Sequence, residues 1–324
     1  MSVEPLTDRI LERLPGRREL WIALWALVPW LNAGANLLLG NERTSAVWEQ
    51  GTVLVVLNYA ALSFGVALAL LGTRRIVRPL EGLGTTTALV IARGVTRPFQ
   101  GMNSAAGPLL LSLVGAIAFG VSALIRDGVA TGLLRGVTWF VIGIALWTFI
   151  WTYACLLLGL NRLGRERLIT QAMHVDPGLG LEPLGGIAST GLWMLLAWLV
   201  PVLLTGLPDV VGAVLGMLLL VLVLATFFLS LLRLHWQMVD VKKGELAVAR
   251  ELYRQAYEPV HQAQTLEALE QQRNLLGAAD ALEKRASAIH EWPFEERTPT
   301  IVITIVTSVT AMTIGRLILN PLGL

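Results

Sequence analysis

The chain has 324 residues, of which 55% are hydrophobic and only 15% charged, with a formal net charge of +2 and a mean hydropathy of +0.65. An ordinary soluble domain carries about 25% charged residues, so this composition excludes that class and points to a membrane protein. The basic residues sit in separate short segments with no aromatic interleaving, which excludes nucleic acid as a partner, and a lone cysteine, Cys155, rules out a disulfide or a thiolate metal cluster within one chain.

Residues 1–19 form a cytoplasmic amphipathic segment. Thr7 or Asp8 is placed to cap a short helix with Ile10, Leu11 and Leu14 on one side and arginines around them, a pattern expected of a membrane-surface anchor. Leu20 opens an apolar run that continues to Gly40, longer than the apolar region of a signal peptide and near the roughly 20 residues needed to span hydrocarbon. Further runs at 52–72, 108–125, 137–160, 187–207 and 210–232 complete a six-helix transmembrane region over 20–232, and a weaker run at 300–320 makes seven. Pro208 and Asp209 form the tight turn between spans five and six.

Lys and Arg are distributed 21 to 4 between alternate sides, which places the N-terminus in the cytoplasm and the C-terminus outside. The expected fold is therefore all-α, a polytopic transmembrane bundle in a plasma membrane. The excess of Arg over Lys in a chain rich in Leu, Ala, Gly and Val points to a prokaryotic inner membrane.

Two inner loops precede the largest soluble piece. Residues 73–107 hold a short apolar run to Ala92 and then Thr96-Arg97-Pro98-Phe99, compatible with a re-entrant segment, an interfacial segment or a strand. Residues 161–186 carry His174 and Asp176, too few ligands for a metal site, and end in turn-forming Asp176-Pro177-Gly178. From 233 to 299 the pattern predicts an antiparallel helical hairpin about 40 Å long. Leu234, Met238, Val241, Val248 and Leu252 line its first arm as a continuation of span six, with Gly244 a weak point. Pro259 ends that arm and Thr265 caps the second, lined by Leu275, Ala279, Leu282, Ala286 and Ile289. Trp292 and Phe294, on either side of Pro293, are expected to anchor the chain at headgroup level as it re-enters the membrane, and Glu291, Glu295 and Glu296 are placed to draw cations to a cytoplasmic mouth.

The first six spans contain no ionisable residue within these limits, which argues against proton-coupled transport and intramembrane hydrolysis. Asn32 and Asn36 share a helix face, suited to bonding between helices, and Gly212 with Gly216 permits close approach. In the last domain, 300–324, Thr300, Thr304, Thr307 and Ser308 cluster on one side of the final helix, with Arg316 near the outer end. Two environments suit such a face: local bonds to the preceding turn, or a wet axis in an oligomer. The leading functional expectation is a self-associating, channel-like pore for ions or small solutes lined by this helix. The alternative is a non-transporting scaffold or sensor whose hairpin docks a cytoplasmic partner. A lipid-headgroup enzyme, working from the two inner loops, ranks third. No catalytic residue, metal or cofactor is assigned, and the lipid bilayer is the one partner common to all three.

Overall fold

The computed structural model describes residues 3–38, 42–86, 97–165, 178–206, 210–260 and 266–294, with Ile303, Thr304, Thr307 and Ala311 beyond them. All regular structure among these residues is helical: α1 (Leu6–Arg13), α2 (Arg18–Ala26), α3 (Val28–Leu38), α4 (Glu42–Thr86), α5 (Ala106–Asp127), α6 (Val129–Leu163), α7 (Glu182–Gly206), α8 (Val210–Val260) and α9 (Leu266–Ser287), plus a 3-10 turn over Arg97–Asn103. Five helices are long and apolar enough to cross a membrane, and the bent pair α2–α3 makes a sixth if it is one crossing. The protein is thus an integral, multi-pass membrane protein. The expected seventh span lies mostly outside the described residues.

The apolar run from Leu20 is not one straight helix. It bends by 41° between α2 and α3. Pro29 has no N–H to offer the Trp25 carbonyl and its ring crowds that turn, so the helix restarts at Val28. The Leu27 N–H closes α2 by sharing the Ala23 and Leu24 carbonyls. The Trp25 indole N–H then donates to the Val141 carbonyl of α6, 2.8 Å away, tying the break to the bundle.

Helix α1 packs on the protein through its apolar side, with Leu11 buried and Leu14 against the core. Pro5, not Thr7 or Asp8, occupies the N-cap position. Asp8 is buried and paired with Arg18, while Val3 and Leu11 join the main hydrophobic core. The Glu4 N–H and the Arg9 guanidinium bond to Asn103, so α1 docks on the 3-10 turn. That turn is itself anchored by Phe99 and Met102, both fully buried, and by the Trp151 indole donating to the Gly101 carbonyl. The short apolar run before it, to Ala92, lies largely outside the described residues.

Helices α5 and α6 are joined by Gly128 alone, at φ +93°, so the expected outer loop shrinks to one residue and α6 begins eight residues earlier than its apolar run. Arg135 lies within α6 and faces Asp127 at 3.6 Å. Small residues let the two backbones meet: a methyl on Gly120 would lie 3.1 Å from the Gly136 Cα, and one on Gly132 would lie 2.7 Å from the Leu124 Cβ. Without water to drive helices together, such close van der Waals packing is what membrane helices rely on. The outward face of α5, including Leu110, Val114, Ile117 and Ile125, is exposed and suited to lipid.

Helix α6 is central, touching α3, α4, α5, α7 and α8. Tyr153 fits against Gly191 and donates its hydroxyl to the Ala188 carbonyl at 3.1 Å. Asn36 donates to the Asn32 carbonyl and side chain, and the Asn32 side-chain oxygen lies 3.3 Å from the Thr138 hydroxyl of α6. Hydroxyls at Thr73, Ser112, Thr138, Thr148, Thr190, Thr226 and Ser230 all donate to the carbonyl four residues back, the local solution to a polar group in an apolar helix.

Helix α8 runs unbroken for 51 residues, roughly 75 Å. It packs on α6 and α7, meeting the end of α6 at Arg233 and Leu234, and α9 folds back along its C-terminal part. The Tyr253–Asp280 and Lys242–Glu291 pairs show that α9 runs antiparallel to α8. The buried seam consists of Ala249 and Ala256 on α8 and Ala279 and Ala286 on α9, each pair seven residues apart as a coiled-coil register requires. Leu234, Met238 and Ile289 are buried as expected from their spacing, whereas Val248 and Leu275 are exposed. Alanine at the contact brings the axes close and leaves the larger side chains outside the seam.

Candidate functional site at the junction of the hairpin and the membrane helices

Phe228, His235 and Lys242 are spaced by seven residues along α8, so they form one stripe crossing from the apolar to the polar part of the helix. Helix α9 is followed by a turn in which the Ile289 N–H donates to the Ala286 carbonyl. The chain then bends through Glu291–Phe294 and lies across that stripe as a strap.

Each rung of the stripe has its own partner. Lys242 Nζ donates to the Glu291 carboxylate at 3.1 Å. The His235 ring stacks on the Trp292 indole, with centroids 4.2 Å apart and planes 18° from parallel, and its Nδ1 lies 2.7 Å from the Glu291 carbonyl oxygen. A carbonyl only accepts, so Nδ1 carries a proton. Phe228 meets Trp292 edge-on at 5.8 Å, and Phe294 packs on Trp292 and Phe227. Phe294 is 2% exposed.

The other side of the strap rests on α7. Gly185 leaves no space there: a methyl at that position would overlap the Pro293 carbonyl. Ahead of it, Leu179 and Gly180 take left-handed conformations with φ of 56° and 78°, turning the chain into α7. On the remaining side of α8, Gln237 Nε2 donates to the Gly164 carbonyl at the end of α6, at 2.8 Å. Strap, α6, α7 and α8 therefore converge within a few residues.

Of the residues singled out in the sequence, Glu291, Trp292 and Phe294 come together here. Trp292 and Phe294 pack against protein aromatics, and Glu291 is held by Lys242. Thr304 and Thr307 are helical and exposed, and the Thr307 hydroxyl donates to the Ile303 carbonyl at 2.8 Å. Glu295, Glu296, Thr300, Ser308 and Arg316 lie outside the described residues, as do His174 and Asp176. His235 and Lys242 were not selected by sequence, although their spacing from Phe228 was a readable signal.

The arrangement is an aromatic stack with one ion pair and one exposed hydrogen bond. It is built to hold the strap rather than to activate a nucleophile, and among the described residues no three His, Cys, Asp or Glu side chains gather as metal ligands. No protein-family model matches the chain, and no curated protein or solved structure is significantly similar to it.

Proposed function

We propose that this membrane protein is a scaffold or sensor that presents the α8–α9 hairpin as a docking arm to a cytoplasmic protein. The observation that carries the reading is the clamp of Glu291–Phe294 on an α8 that is continuous from the bundle into the hairpin. A continuous helix, pinned where it leaves the bundle, transmits a shift of its membrane part to the arm. Charged groups dominate the arm's exposed surface, interrupted by Val248, Tyr257, Leu269 and Leu275. Val248 and Tyr257, about two and a half turns apart, lie on opposite sides of α8, so a partner meets separate apolar anchors set among charges. The excess of basic residues on this side supports a cytoplasmic position for the arm.

Photo-crosslinking from Val248 and Leu275 in the full-length protein in its native membrane tests this. Adducts to one soluble protein, weakened by Gly185→Ala, are expected. Adducts only to a second copy of the chain refute docking and favour the second reading, a self-associated pore lined by the final helix. Exposure of Thr304 and Thr307 favours that reading. The Thr307 back-bond weighs against it, because the same local bond satisfies seven other hydroxyls in the protein. Purified protein in liposomes should then pass ions or small solutes, less so with Thr304→Val/Thr307→Val. Verified incorporation without flux refutes the pore.

A further inference from the structure

We propose that the lipid-facing side of the α6–α8 contact is a binding site for an anionic phospholipid. The site is independent of what the hairpin docks. Helix α6 ends where it touches α8: a methyl on Gly164 would lie 2.9 Å from the Arg233 Cβ. Arg165, the next residue, is thereby a neighbour of Arg233, and Arg162 lies one turn below it on the same exposed face. All three are exposed, and none of their guanidinium groups has a hydrogen-bond or ion-pair partner among the described residues.

What lies beneath the arginines decides between a lipid and a free anion. Leu158 is four residues before Arg162 and Leu229 four before Arg233, so each leucine sits one turn below an arginine on its own helix face. Leu158 is 58% and Leu229 62% exposed. Trp236, three residues beyond Arg233, is 59% exposed, in keeping with an aromatic ring at the headgroup level. Apolar side chains with guanidinium groups directly above them match the two halves of a phospholipid. The acyl chains lie on Leu158 and Leu229, while the Arg165 and Arg233 forks take the phosphate oxygens. A free phosphate has no use for the leucines, and a zwitterionic lipid, whose own cation already offsets its phosphate, gains less from two arginines than an anionic one.

The test uses the full-length protein in an uncharged detergent, titrated with phosphatidylglycerol or phosphatidylcholine of identical acyl chains and read by native mass spectrometry. At roughly a fivefold gain per arginine near a membrane surface, phosphatidylglycerol is expected to bind about thirtyfold more tightly. Arg165→Ala/Arg233→Ala should remove that preference, while Arg13→Ala/Arg17→Ala should leave it intact. Excess inorganic phosphate should not displace the lipid. Equal binding of both lipids by the unaltered protein overturns the proposal. So does a preference that survives Arg165→Ala/Arg233→Ala, or displacement by inorganic phosphate. If the double alanine variant does not fold, Arg165→Lys/Arg233→Lys replaces it, keeping the charge without the planar fork. A partial loss of preference is then expected, and an unchanged preference overturns the assignment.

Discussion

Gly185 and Gly186 are adjacent in the first turns of α7, so Gly→Ala brings the same helix-propensity gain of up to about 1 kcal/mol at either position. Their surroundings are opposite. A methyl at Gly186 meets nothing within 4 Å, whereas one at Gly185 overlaps the Pro293 carbonyl, a backbone atom that moves only if the strap moves. Withdrawal of the strap uncovers Phe294, worth about 2 to 3 kcal/mol as a fully buried aromatic side chain, and loosens the His235–Trp292 stack, worth about 1 kcal/mol. Gly185→Ala should therefore destabilise by about 2 to 3 kcal/mol net while Gly186→Ala is neutral or stabilising. Hydrogen exchange over 289–294, with thermal unfolding in one detergent, measures both effects. Equal behaviour of the two variants, or an unchanged exchange rate in Gly185→Ala, would refute the clamp.

The same contrast applies between α5 and α6. Gly132→Ala meets Leu124 backbone and should cost about 1 to 3 kcal/mol, while Gly136→Ala, whose nearest contact is an ordinary 3.5 Å, should be tolerated; unfolding curves in detergent compare them. Asp8→Asn should lower stability by about 1 to 3 kcal/mol and free α1 to proteases, because it removes the partner of a largely buried Arg18; exposed Glu12→Gln is the control for the same digestion assay. Gly244→Ala and Gly277→Ala both face open space on the hairpin and should each stabilise it by up to about 1 kcal/mol, seen as slower amide exchange in the arm.

Hydropathy made the long helices legible because a span needs little more than length and apolarity. It was blind to the bend at Leu27, since Pro29 sits in a run whose average apolarity it hardly changes. Spacing picked out Ala279 and Ala286, which are buried on α9, but on α8 side-chain size misdirected the choice: Val248 is larger than Ala249, yet the alanine is buried. Close approach of two axes selects the smaller residue, and only a pairing of both arms reveals that. Asp8 has the chemistry of a cap, and its real partner, Arg18, belongs to the next helix. The strap was half visible: Trp292 and Phe294 stood out as aromatics beside a proline, but their partners lie some 60 residues earlier, beyond what local spacing conveys.

The positions of those partners explain why α8 is the element that organises the junction. A helix end and a bent strap near an apolar layer expose carbonyls that need donors. Helix α8 supplies two, Gln237 to the Gly164 carbonyl and His235 to the Glu291 carbonyl, from residues two apart and so on opposite sides of the helix. One post thus ties down the end of α6 on one flank and the strap on the other. A rotation of α8 that keeps one bond in register carries the other away from its carbonyl, so the bundle and the arm share a single rotational setting. That coupling distinguishes a hairpin held in a fixed pose from one that merely hangs from its last transmembrane turn.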